Sequence, residues 1–212
     1  MTARTVSMGN ARSSNKARKH DRYMTPPEAV EALLAAPEAV AALLDCVVIP
    51  YRIWEPCCGT GNIVRVLRSH GLRVVASDLV EHGRDFLHTK SMPPRVQAIV
   101  TNPPYRLAAQ FVRHALQLGV PYVAMLLRLN FVEGVRRADV LDKLSAMYVF
   151  ANRLPPMHRE GWRGKRVTSA TTAYAWFVWD KAHRGPTIIQ RIRWSVDVPE
   201  CFPIWTMKEA AE

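Results

Sequence analysis

Long apolar runs are missing from this sequence of 212 residues. None approaches the ~20 residues that cross a bilayer, so no membrane partner or spanning helix is expected. Cysteine is scarce as well. The four, at 46, 57, 58 and 201, fit neither a disulfide framework nor paired zinc-ligand spacing, and reduced thiols in a cytoplasmic protein are expected. No Gly-Lys-Ser/Thr is present, which excludes a P-loop. Without a Cys-x-x-Cys beside a His-x-Glu, zinc deaminase chemistry has no support and no metal is expected. There is no secretory apolar segment and no internal repeat. Acid is the scarcer charge: 29 Lys and Arg face 18 Asp and Glu, for a net +11, which favours polyanionic partners.

The excess positive charge is concentrated in two segments. Residues 1–22 hold Arg4, Arg12, Lys16, Arg18, Lys19 and Arg22 against Asp21 alone. Almost no large apolar side chain accompanies them, so a flexible basic arm is expected. A second cluster comprises Arg153, Arg159, Arg163, Lys165 and Arg166 against Glu160. The rest of the chain is close to neutral.

Between these clusters, apolar strands alternate with amphipathic helices. Thr25-Pro26-Pro27-Glu28 predicts a helix start with Thr25 as N-cap, and Pro37 divides the helical stretch after it into two short helices. Strands are expected at 51–54, 72–76, 96–101, 122–127, 147–150 and 171–179, with an edge strand within 186–194. Helices are expected at 63–70, 106–118 and 135–144. The alternation implies an α/β fold whose mostly parallel sheet carries helices on both faces. The strands around 147 and 175 lack a helix between them and predict an antiparallel hairpin.

The first strand runs into Glu55-Pro56-Cys57-Cys58-Gly59-Thr60-Gly61-Asn62 and then a helix, a turn that brings backbone close to a ligand. The third glycine of a dinucleotide fingerprint is absent, since residue 64 is Val. Glu55 ends this strand, and Asp78 ends the next one about 20 residues on, where an acid accepts from ribose hydroxyls. An acid at Glu55 repels a diphosphate and suits a cationic amino group. Both acids together fit S-adenosylmethionine (AdoMet) better than NAD.

Asn102-Pro103-Pro104-Tyr105 comes directly after the third strand. The prolines fix the backbone and leave carbonyls as rigid acceptors; Asn102 adds a further acceptor and Tyr105 an aromatic face. Two fixed acceptors taking both N–H bonds of an exocyclic amine free its delocalised lone pair and stabilise the charge that develops on methylation. Tyr105 is placed to stack on an extruded base.

These residues resemble the DNA N6-adenine methyltransferases, especially the short bacterial and phage forms. The resemblance runs from about residue 23 to 195. It implies a Rossmann-like class I methyltransferase domain with a seven-stranded sheet, AdoMet as cofactor and a host-cell cytoplasmic location. Tyr23-Met24-Thr25-Pro26-Pro27 is similar to the family's amino-terminal cofactor motif. Residues 55–62 are similar to its glycine motif, and Asp78 to its ribose acid. Asp85-Phe86 resembles its adenine-binding pair, and Asn102 to Tyr105 its catalytic motif. The resemblance thus implies a cofactor site of Tyr23, Thr25, Pro26, Glu55, Pro56, Cys57, Gly59, Gly61, Asn62, Asp78, Asp85, Phe86 and Asn102. It also implies a single domain over 23–195 with a tail at 196–212.

No segment is long enough for the large target-recognition domain that the family often carries. The basic segment 152–168 is therefore expected to contact DNA through Arg153, Arg159, Trp162, Arg163, Lys165 and Arg166, with short-site or relaxed specificity. RNA adenine and a protein glutamine amide present the same planar amine and stand as alternative substrates. A silent nucleic-acid-binding module is a further alternative, against which Glu55, Asp78 and Asn102 speak.

Overall fold

The computed structural model describes residues 24–46, 51–154 and 172–194. Two short helices open it, α1 (Pro27–Leu34) and α2 (Pro37–Cys46). Next come β1 (Arg52–Glu55), α3 (Asn62–Ser69), β2 (Val74–Ala76), a single-turn α4 (Leu79–His82) and β3 (Val96–Thr101). The chain continues through α5 (Ala108–Gln117), β4 (Tyr122–Arg128), a single-turn α6 (Ala138–Leu141), β5 (Ala146–Phe150), β6 (Tyr174–Asp180) and β7 (Ile188–Ile192). No described helix is long and apolar enough to cross a membrane.

The strands form one seven-stranded sheet in the order β2-β1-β3-β4-β6-β5-β7. Every neighbouring pair is parallel except those involving β6, which inserts between β4 and β5 and runs against both. The expected α/β Rossmann-like sheet, its antiparallel β5–β6 pair and its carboxy-terminal edge strand are therefore all present.

Helices cover both faces. On one, α1, α2 and α3 bury Leu33, Leu43 and Leu67 with Ile53, Tyr122 and Trp176 of the sheet. On the other, α5 and α6 bury Phe111 and Val140 with Ile99, Val123, Phe177 and Trp179. Two buried indoles find carbonyl acceptors: Trp176 donates to Ala29 O at 2.8 Å and Trp179 to Val140 O at 2.7 Å. Residues 122–127 of β4 are buried on both faces, which explains their unbroken apolar run.

Two expectations fail locally. The helix expected over 135–144 is a 3-10 turn (Val135–Arg137) followed by the four residues of α6, in which Val140 alone is buried. So little apolar surface anchors only one turn. Thr25 does not cap α1 either. Pro26 holds the N-cap position with no side-chain cap bond, because the Thr25 hydroxyl is engaged elsewhere.

The connection after β1 leads to β2 on one side, whereas β3 lies on the other. The strand order thus reverses between β1 and β3. In open α/β sheets, ligands bind at the carboxyl ends of the strands flanking such a reversal.

Candidate functional site

β1 ends at Glu55 and β3 at Thr101, and these two residues meet. The Thr101 hydroxyl donates to Glu55 Oε1 at 2.5 Å, and the backbone N–H of Cys57 donates to the same oxygen at 2.9 Å. Glu55 is fully buried, and its Oε2 has no hydrogen-bond partner. Burial pushes its carboxyl up from the usual 4.5 to about 8. The Thr101 and Cys57 hydrogen bonds oppose the rise, and the nearby charge of Asp78 adds to it.

The glycine turn is built around that carboxyl. Ser77 N donates to Glu55 O, and Cys58 N to Ser77 O, so the turn hangs from the ends of β1 and β2. The Trp54 indole fixes Ser77 through a 2.8 Å bond to its hydroxyl. Gly61 precedes α3 with φ 85°, in the left-handed region that favours glycine. A methyl group added at Gly59 or Gly61 meets nothing within 4 Å, so open space faces both. Asp78 spans two elements: Oδ1 accepts from Val80 N (2.7 Å) and Glu81 N (3.2 Å), and Oδ2 from Gly59 N (3.0 Å). The acid at the end of β2 thereby ties the glycine turn to the start of α4.

The Asn-Pro-Pro-Tyr turn leaves β3 directly after Thr101. Asn102 Nδ2 donates to Thr25 Oγ1 at 3.0 Å, and Asn62 Nδ2 donates to the Thr25 carbonyl at 2.8 Å. Asn62 in turn accepts from Arg65. Thr25 therefore joins the amino-terminal segment, the start of α3 and the Asn102 turn at one point. Burial, and the neighbouring Tyr174 with which it hydrogen-bonds, raise the Tyr105 hydroxyl well above its ordinary range, with hydrogen bonding to Asn102 and the Arg128 charge opposing. The two tyrosine rings lie 5.7 Å apart.

Pro56 is buried, and Cys57 and Cys58 are half-buried. Burial raises both thiols, Cys58 to about 11, so neither is a thiolate at neutral pH. Packing beside the turn suits them. Asp85 and Phe86 stand outside the hydrogen-bonded cluster. Asp85 caps a 3-10 turn by accepting from Leu87 N, with His88 against its other oxygen. Phe86 is buried among Trp54, Phe111 and His114. Its ring meets that of Trp54, the neighbour of Glu55, at 5.2 Å.

Of the expected nucleic-acid contacts, Arg153 is exposed three residues beyond β5, and its carbonyl accepts from the Trp194 indole. Arg159, Trp162, Arg163, Lys165 and Arg166 lie outside the described residues. So do Tyr23, the arm at 1–22 and the tail at 196–212. Sequence reasoning missed Thr101, Ser77, Arg128 and Tyr174. Thr101 and Ser77 did leave a signal: each is a polar residue closing an apolar strand next to an already chosen one.

No protein-family model and no curated protein matches the chain. Among solved structures, the type IIG restriction endonuclease BpuSI is similar over 88% of this chain at 14% identity, with a TM-score of 0.51. The structure of a DrdV–DNA complex is similar over 84% at 14% identity, also with a TM-score of 0.51. The chain spans 28% of the length of each of those proteins. At this identity the likeness is one of fold, and the chain has the Rossmann-like α/β fold of a seven-stranded mixed sheet.

Proposed function

We propose that this chain is an AdoMet-dependent methyltransferase that modifies adenine N6 in DNA. The observation that carries the reading is the 2.5 Å bond from Thr101 to Glu55, which puts the glycine turn and the Asn-Pro-Pro-Tyr turn side by side at the β1–β3 reversal. Cofactor and amine then share one crevice, as direct transfer requires.

The residues present fit the cofactor. Glu55 offers a buried oxygen without a partner, the complement of a cationic amino group. The open space at Gly59 and Gly61 admits close approach of a ligand to the backbone. Asp78 is the ribose acceptor, sharing its oxygens with the turn. Tyr23, Thr25, Pro26, Pro56, Cys57, Asn62 and the Asp85-Phe86 pair complete the proposed cofactor site. When bound, AdoMet supplies a methyl carbon on a positively charged sulfur, which an amine takes directly. No protein nucleophile is needed, consistent with the raised thiols of Cys57 and Cys58.

The chain supplies the acceptors. With Nδ2 turned to Thr25, the oxygen end of the Asn102 amide is the end that takes an N–H from the substrate. The second acceptor is the Pro103 carbonyl, held because its own ring fixes φ and the following Pro104 restricts its ψ, whereas the Pro104 carbonyl already accepts from Leu107 N at 2.8 Å. Together they draw both N–H bonds of the amine, free its lone pair and stabilise the positive charge that grows on nitrogen. Tyr105 supports the base as it leaves the stack.

DNA is favoured by the net +11 and by Arg153 with the basic residues 159–166, which are proposed to hold phosphates. The shared fold with DrdV, a protein described in complex with DNA, agrees with this partner. Incubation with methyl-labelled AdoMet and, separately, duplex DNA, single-stranded DNA, RNA and a glutamine-bearing protein tests the reading. Label in DNA is expected. Label only in RNA or protein transfers the reading to that substrate.

A further inference from the structure

Arg128 breaks the pattern of β4: the six residues before it are buried, and it is exposed. An arginine at a strand end normally finds a carboxylate or water. This one forms no ion pair within the described residues, and its guanidinium carbon lies 4.9 Å from the centroid of the Tyr105 ring. Cross-strand register sets Arg128 directly opposite Tyr174, whose ring flanks Tyr105 as well. Two residues from neighbouring strands, Arg128 of β4 and Tyr174 of β6, thus converge on the aromatic group that ends the Asn-Pro-Pro-Tyr turn.

This arrangement matters because a planar base needs an open face of Tyr105. The guanidinium, on an arginine that is itself exposed, is held on the half-buried Tyr105 ring more weakly than a stacked nucleobase, so an incoming base displaces it. The displaced group carries five N–H donors in a rigid fork and stays tethered at the mouth of the site, where a nucleotide presents its phosphate. We propose that Arg128 is a substrate-positioning residue: it covers the stacking face of Tyr105 in the empty site and turns to a phosphate of the bound nucleic acid once a base takes that face. The proposal rests on the methyltransferase reading and names a contact that the resemblance does not supply.

The test uses the full chain, AdoMet and a fluorescein-labelled, adenine-containing DNA duplex, comparing wild type with Arg128→Ala and Arg128→Lys. For Arg128→Ala, Kd and KM for DNA are expected to rise about tenfold with kcat within about twofold. The slope of log affinity against log salt is expected to become shallower by about one, as for one lost phosphate contact. Arg128→Lys, which keeps the charge and loses the fork, is expected to restore the salt slope and part of the KM. AdoMet affinity and thermal stability are expected to stay at wild-type values in both. Unchanged DNA affinity and salt slope in Arg128→Ala overturn the proposal. So does a loss shared equally by AdoMet binding and stability, which marks a structural role. A wild-type chain that neither binds nor methylates DNA instead overturns the functional reading itself, before any variant is compared.

Discussion

Thr25 and Asn102, 77 residues apart, are joined by a 3.0 Å hydrogen bond from the Asn102 amide nitrogen to the Thr25 hydroxyl. The bond anchors the amide of a side chain whose proposed work depends on how that amide is held.

Thr25→Val keeps the shape and removes the acceptor. It leaves the Asn62 bond to the Thr25 carbonyl intact, so the start of α3 keeps its tether. The loss of stability is expected to be about 1–3 kcal/mol, the cost of a buried donor left unpaired. Methyl transfer is expected to fall about tenfold or more in kcat, from misorientation of the amide. Denaturant titration and steady-state kinetics check the two effects separately.

Glu55 makes cofactor binding pH-dependent. Its carboxyl holds a proton up to about pH 8 in the empty site, whereas a cationic ligand group needs the carboxylate. Below pH 8, binding therefore releases a proton, and AdoMet affinity is expected to rise with pH by up to about tenfold per unit, levelling above 8. Calorimetry in two buffers of different ionisation enthalpy measures the released proton. A flat affinity between pH 6 and 8 contradicts the assignment.

The same group acts on folding with a definite sign. The folded-state pKa lies above the unfolded one, so the native state binds the extra proton between about 4.5 and 8. Glu55 thus costs stability progressively as pH rises through that window. Glu55→Gln escapes the cost, so its melting temperature is expected to gain on wild type between pH 5 and pH 8 while its AdoMet affinity drops.

The basic segment carries its own expectation. Replacing Arg159, Arg163 and Arg166 together by Ala is expected to weaken DNA binding and flatten its salt dependence by up to about three in slope. Anisotropy titrations across salt measure this, and an unchanged slope contradicts phosphate contact by that segment.

Much of the fold was legible because its signals are local. Pro37 divides α1 from α2, Gly59 and Gly61 mark the turn after β1, and the apolar runs of β3 and β4 stop at polar residues. The lateral order of the strands was not legible. Nothing around Tyr174–Asp180 says that β6 slips between β4 and β5, since that is set by which faces must be covered. Thr25 shows the same limit within the site. Its residue type suits a helix cap, yet its hydroxyl serves Asn102, which only the folded chain brings near. Arg128 looks like an ordinary solvated strand end until the β3 turn places Tyr105 beneath it.

The central claim is that the oxygens of the Asn-Pro-Pro-Tyr turn activate an adenine amine. DNA incubated with the protein and AdoMet, digested to nucleosides and resolved by mass spectrometry, tests it most directly. N6-methyldeoxyadenosine is expected with the wild-type chain and is expected to vanish with Asn102→Ala, while AdoMet binding is largely retained. A methyl group on any other atom, or N6 methylation that survives Asn102→Ala, contradicts the account.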